Sequence, residues 1–366
     1  MSAFGHEEVV IRTGRRSGLP VIVAVHSTAL GQAVGGCRLW HYPDWADGLT
    51  DALRLSAGMT AKCAAAGLAN GGGKTVIAVP AGTPLGPARR RAALHDAADV
   101  IASLGGRYAT GPDVGTTPED MAVIGERTSH VFCTPARCGG AGDSSPHTAL
   151  GTLAAIRAVC QHLYGDRGLA GRRLAVVGLG SVGGRLARLL AEGGAQLVVS
   201  DIDAGKRALA AELGAAWATP AEAVTAPADI LVPAALGGIL TADVAGELRC
   251  RAIAGPANNQ LAAPGVAGLL HQRGILWVPD YIASAGGVSY ILTVELHRGT
   301  PGQARARVEA IGDTVAGLLA TAGRAGSSPA QAAEELVARR LQAAGPPGPG
   351  PAPGRVPDQA AAGSSS

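Results

Sequence analysis

Arg172–Asp203, RRLAVVGLGSVGGRLARLLAEGGAQLVVSDID, reads in order as an apolar strand, a glycine turn, a helix and a second apolar strand. Gly178, Gly180 and Gly183 form a G-x-G-x-x-G fingerprint directly after the first strand, and Asp201 ends the second. In a chain with 54 glycines that spacing alone carries little weight; the strand before it and the helix after it give it meaning. The first glycine permits a tight turn, the second lets a pyrophosphate reach the helix N-terminus, and the third lets helix and strand pack closely. Ser181 and Val182 lie within the same expected cradle. Asp201 is placed to accept hydrogen bonds from the adenosine ribose hydroxyls, which favours NAD over a 2′-phosphorylated cofactor.

Outward from this unit, the apolar runs DILVPA, RAIAGPA and ILWVPD follow, each separated by a plausible helix. That alternation predicts a parallel, doubly wound sheet. A length of 366 residues allows two domains. The expected division is an α/β substrate domain over 1–145 and a Rossmann NAD-binding domain over 146–290, with a cleft between them. Helices over 291–344 should pack back toward the first domain. The stretch from Gly345 to Ser366, rich in proline, glycine and serine, has no apolar periodicity and is expected to be disordered.

A net charge of +3 with 16% charged residues offers no face for a polyanion. No apolar run is long enough to span a membrane and no signal pattern opens the chain, so a cytoplasmic protein is expected. The six cysteines show no CxxC pair and no metal-ligand spacing, which predicts free thiols and no metal.

Of the 31 basic residues only Lys62, Lys74 and Lys206 are lysine, and two of the three fall in MTAKCAAAGLANGGGK. Arginine cannot substitute where an amine must lose its proton near neutrality, because only the ammonium shifts readily when buried. Lys62 ends a helical pattern over Asp47–Gly67, and Lys74 follows a predicted glycine turn, Gly71–Gly73, and opens a buried strand. The two amines can converge on a small anionic ligand. GQAVGGCRLW reads as a loop, and Asp113 as a loop aspartate not needed for capping, since Thr117 can cap the helix that begins TTPED.

The stretches GGCR, GMTAKCAAAGLANGGGKTVIAVP, TGPDVGT, GGAGDSSPHTALG, VVGLGSVGG and AGPANNQLA resemble, in the same order, motifs of the glutamate/leucine/phenylalanine/valine dehydrogenase family. The resemblance runs from about Gly5 to Arg340, and the phenylalanine-acting members look most similar. It implies NAD-dependent oxidative deamination of an apolar L-amino acid, phenylalanine-like by preference and branched-chain as the alternative, to the 2-oxo acid and ammonia. It also implies a homo-oligomer assembled through the first domain; charge and hydropathy give no nucleic-acid or membrane partner. By that likeness Lys62 holds the substrate carboxylate, Lys74 activates water or amine, and Asp113 carries protons. Gly35 and Gly36 contact substrate through the backbone, and Thr148, Ala234 and Asn259 contact the nicotinamide half of the cofactor. Val34, Met59, Gly111, Val288 and Ile291 form the side-chain pocket, in which Gly111 makes room and Val34 and Val288 take it back. Cys37, Ser144 and Ser284 depart from the family, where threonine, proline and asparagine are common. A non-catalytic NAD-binding protein and a hydroxy-acid oxidoreductase with a histidine base are the competing readings.

Overall fold

The computed structural model describes residues 5–345; the remainder of the Pro/Gly-rich tail, from 346 on, lies outside the described residues. The two sheets arise from two different sequence patterns.

The first sheet contains β1 (Glu8–Thr13), β2 (Pro20–Ser27), β3 (Ala33–Tyr42), β4 (Gly71–Pro80) and β5 (Tyr108–Pro112), in the order β1-β2-β4-β3-β5. β1, β2 and β4 pair antiparallel, whereas β3 runs parallel to both β4 and β5. Helix α1 (Trp45–Ala65) covers one face, starting at a capping box between Asp44 and Asp47. On the other face lie α2 (Pro87–Ala102) and α3 (Pro118–Gly125). Thr117 caps α3 reciprocally with Asp120, with Pro118 in the first turn.

The structure differs from the sequence reading at both glycine clusters of this sheet. GQAVGGCRLW is the inner strand β3, not a loop, because pairing on both sides outweighs the poor strand propensity of Gly35 and Gly36. Gly71–Gly73 lie inside β4 rather than in a turn before it. Glycine is needed there for close approach: a Cβ on Gly72 would fall 2.1 Å from the Thr60 amide nitrogen of α1.

Helix α4 (Ser145–Tyr164) leads into the second sheet. That sheet holds β6 (Arg173–Val177), β7 (Gln196–Ser200), β8 (Ala216–Trp217), β9 (Ile230–Pro233), β10 (Ala252–Ile253) and β11 (Leu276–Trp277). Its order is β11-β10-β9-β6-β7-β8, parallel throughout. The connecting helices are α5 (Ser181–Glu192), α6 (Arg207–Glu212), α7 (Pro220–Val224), α8 (Ala242–Glu247) and α9 (Val266–Gln272). The strand order reverses direction at β6, the point where a doubly wound sheet opens a crevice at its carboxyl ends.

The chain then forms α10 (Asp280–Ala283), α11 (Gly286–Ile291) and a π turn over Leu292–Leu296. Next come α12 (Pro301–Glu309), α13 (Ile311–Ala325) and α14 (Pro329–Ala344), with α12 and α13 separated at Ala310. Helix α13 packs on α4, while α14 reaches α1, where Arg340 Nη1 donates to the Ala64 and Ala65 carbonyls at 2.6 and 2.7 Å. These carbonyls lie in the last turn of α1, at the helix C-terminus, where a cation is favourable. No helix among the described residues is long and apolar enough to cross a membrane.

Gly72→Ala should therefore push α1 off the sheet and destabilise the fold by about 2 kcal/mol. Denaturant unfolding checks this, and an unchanged midpoint would refute the contact.

Candidate functional site

Where the two sheets face each other lies a cleft of about 370 Å³. β3 contributes Gly35, Gly36 and Arg38; α1 contributes Met59 and Lys62, one turn apart on one helix face; β4 contributes Lys74; and the segment after β5 contributes Asp113. Gly36 and Arg38 share a face because side chains alternate along a strand. A Cβ on Gly36 would sit 2.6 Å from that of Asp113, so glycine there leaves the aspartate its place.

Lys74 is 5% exposed, and its Nζ lies 2.6 Å from Asp113 Oδ2. The same oxygen accepts from Arg38 Nε at 3.0 Å, and Arg38 Nη1 reaches Asp51 at 2.8 Å. Burial drives the Lys74 ammonium below the ordinary lysine value; Asp113 opposes that shift and Arg38 adds to it. Burial would raise the Asp113 carboxyl, but the charges of Lys74 and Arg38 overcome it and hold it below the usual carboxylate range. The result is an ionised carboxylate beside an amine whose proton is loosely held.

Lys62 is half-buried at the opposite side and donates to Asn258 Oδ1 at 2.9 Å, a contact from α1 to the segment after β10. Burial lowers the Lys62 ammonium too, opposed by Asp280. Ser284, the departure from the expected asparagine, donates to the same Asn258 oxygen at 3.4 Å. Of the other two departures, Ser144 lines the cleft. Cys37 is buried in the core on the side of the first sheet away from α1, its thiol pushed up to about 12 by burial.

The apolar end of the cleft is lined by Met59, Phe132, Val288 and Ile291. Two residues expected there do not line it. Val34 is fully buried in the cluster behind Phe132 and Ile291. Gly111 opens no space, because the Phe132 ring covers it: a Cβ there would meet Phe132 Cε2 at 2.3 Å.

On the far wall, Gly178 has φ +109°, and a Cβ on it would lie 2.8 Å from the Ala234 carbonyl carbon. A Cβ on Gly183 would lie 2.0 Å from the Gly178 oxygen, whereas Gly180, at the N-cap of α5, faces open space. The α5 N-terminus, from Ser181, thus presents backbone amides with no capping side chain, which suits a pyrophosphate. Asp201 lies just past β7; its carboxylate accepts from the Leu179 amide at 2.6 Å and the Asp203 amide at 2.9 Å. A carboxylate has about four acceptor positions, so room remains for ribose hydroxyls. Val182, Thr148 and Asn259 line the cleft, Asn259 with φ +54°, and Ala234 borders the glycine turn.

Arg38, Asn258 and Phe132 were not singled out from sequence. Signals existed for each: Arg38 follows Gly36 at strand spacing, Asn258 adjoins Asn259, and Phe132 is one of two phenylalanines in the chain.

Comparison with known proteins adds two family models. Residues 5–130 match the dimerisation domain of Glu/Leu/Phe/Val dehydrogenases, and residues 206–298 match Glutamate/Leucine/Phenylalanine/Valine dehydrogenase. The valine dehydrogenase of Streptomyces virginiae is 40% identical over 92% of this chain and 94% of its own. The phenylalanine dehydrogenase of Caldalkalibacillus thermarum is 38% identical over 92% and 91% respectively. The L-tryptophan dehydrogenase structure from Nostoc punctiforme superposes with a TM-score of 0.80 at 35% identity, covering 93% of this chain and 97% of that one. These identities single out no member, so the leaning toward phenylalanine-acting relatives is not sustained.

With three lysines in the chain, side-chain NMR resolves them readily. Lys62 and Lys74 should titrate below the ordinary lysine value, and Arg38→Met should move Lys74 upward by removing a neighbouring cation. A downward movement would contradict the geometry.

Proposed function

We propose that this chain, which belongs to the Glu/Leu/Phe/Val dehydrogenase family, catalyses NAD-dependent oxidative deamination of a branched-chain aliphatic L-amino acid and the reverse amination. The observation that carries the reaction is the Lys74–Asp113 contact of 2.6 Å, set in the cleft that Lys62 and the dinucleotide turn also border.

The Lys62 ammonium grips the substrate carboxylate and orients Cα. The apolar end, with Met59, Val288 and Ile291, takes the side chain. Lys74, its proton loosened by burial, serves as the base toward the amino group or water, and Asp113 receives and returns protons through their shared contact. NAD, when bound, accepts a hydride from the substrate. Gly178, Gly180, Ser181, Val182 and Gly183 hold its pyrophosphate, while Thr148, Ala234 and Asn259 flank the nicotinamide half. Asp201 supports NAD over NADP, since its carboxylate would repel a 2′-phosphate.

The choice of a branched-chain substrate over phenylalanine rests on Phe132. The space that a glycine at 111 leaves open is filled by an aromatic ring of the protein itself. An aromatic substrate would have to displace that ring, and overpacking of this kind is unfavourable. The first domain matches a dimerisation-domain model, which supports a homo-oligomer assembled through it.

A screen of twenty amino acids with NAD at alkaline pH, following the reduced cofactor, tests the whole reading. Leucine or valine should exceed phenylalanine by about tenfold in kcat/KM, the scale set by small size differences in an apolar pocket. Phe132→Ala should narrow or invert that ratio, and Lys74→Ala should abolish turnover of every amino acid. Turnover of none by the wild type would leave a non-catalytic dinucleotide-binding protein.

Asp201→Ala should weaken NAD by about tenfold while lowering the preference against NADP, since one charge-assisted contact is lost. Unchanged NAD affinity by calorimetry would remove Asp201 from the cofactor site.

A further inference from the structure

Phe132 does not hold its position unaided. Its own amide donates to the Thr110 carbonyl at 2.9 Å, fixing the chain on the side nearer β5. The next residue, Cys133, has φ +60°, a conformation that a non-glycine residue keeps only where its surroundings over-determine it.

The Cys133 thiol donates to the Gly142 carbonyl at 3.5 Å, and the shorter, charge-assisted hold comes from Glu295. Its Oε2 accepts from the Cys133 amide at 2.8 Å, and its Oε1 accepts from the Ala141 amide at 2.6 Å. One carboxylate thus closes both ends of the loop over 133–141 with two charge-assisted hydrogen bonds. Glu295 lies in the π turn that continues from α11, and α11 carries Val288 and Ile291, two other walls of the same pocket. Inserted π turns in helices are frequent at functional sites. A single segment therefore supplies two walls and fixes the residue next to the third.

We infer that Glu295 is a specificity-determining positioning residue, which holds the Phe132 ring over Gly111 and so sets how large a substrate side chain the cleft admits. This rests on the amino-acid dehydrogenase reading above. A carboxylate is required because both oxygens must accept. Glutamine has one acceptor oxygen and an amide that would face a backbone N–H donor to donor. Loss of either bond lets the Cys133 backbone relax and frees the ring to swing out of the pocket.

The test is a double-mutant cycle on the full-length protein, with steady-state kinetics for leucine and phenylalanine in wild type, Glu295→Gln, Phe132→Ala and the double variant. Glu295→Gln should raise KM for leucine more than it lowers kcat. It should also shift the leucine/phenylalanine ratio of kcat/KM toward phenylalanine by about fivefold, a coupling typical of residues that share one contact network. In the Phe132→Ala background the same substitution should change that ratio by less than about twofold. Glu295→Asp, which keeps both acceptor oxygens, should recover part of the wild-type ratio and supplies the comparison if Glu295→Gln does not fold. Equal loss on both substrates, or the same ratio change in both backgrounds, would reduce Glu295 to a structural staple and overturn the inference. Wild-type protein that turns over no amino acid would instead sink the enzymatic reading itself, before any variant is compared.

Discussion

A buried amine within 2.6 Å of a carboxylate is the constraint around which the first domain is built. Each charge alone would be costly to bury, and removing one would leave the other uncompensated. The pair survives because three consecutive positions in the sheet deliver it. β4 brings the amine, the segment after β5 brings the carboxylate, and β3 between them brings Arg38, whose guanidinium anchors the carboxylate from a second side. Arg38 stabilises the carboxylate and repels the ammonium, which lowers both groups.

The two ends of the cleft are organised by different physics. The polar end is specified by charge and by strand register, where displacement of a residue by one position would turn its side chain to the opposite face. The apolar end is specified by packing, and its outline depends on a ring donated from a loop. The charged groups thus come from β3, β4, α1 and the segment after β5, while the apolar end draws on α1, α11 and one loop residue. Relatives similar at 38 to 40% identity that carry the names of different substrates are in keeping with that division.

The parallel half of the fold was legible because its signal is local: an apolar strand, a glycine fingerprint and an acid at the end of the next strand all fall within about thirty residues. Lys62, Lys74 and Asp113 stood out through composition and capping logic, and all three border one cleft. β3 was not legible. Its adjacent glycines have the local character of a loop, and only pairing with strands about forty and seventy residues away makes them extended. Phe132 escaped for a similar reason: its role depends on the glycine whose space it occupies, twenty-one residues earlier. Asn258 lies 196 residues from the lysine it meets, beyond any local pattern.

The partner of Lys62 is a neutral amide oxygen rather than a carboxylate. An ammonium has three N–H donors, so in the proposed reaction an anion reaching Lys62 could bind beside this oxygen as well as in its place. The contact ties α1 to the segment after β10, on the opposite wall of the crevice. Under the proposed reaction, a ligand that took over this donor would also loosen the link between the two halves.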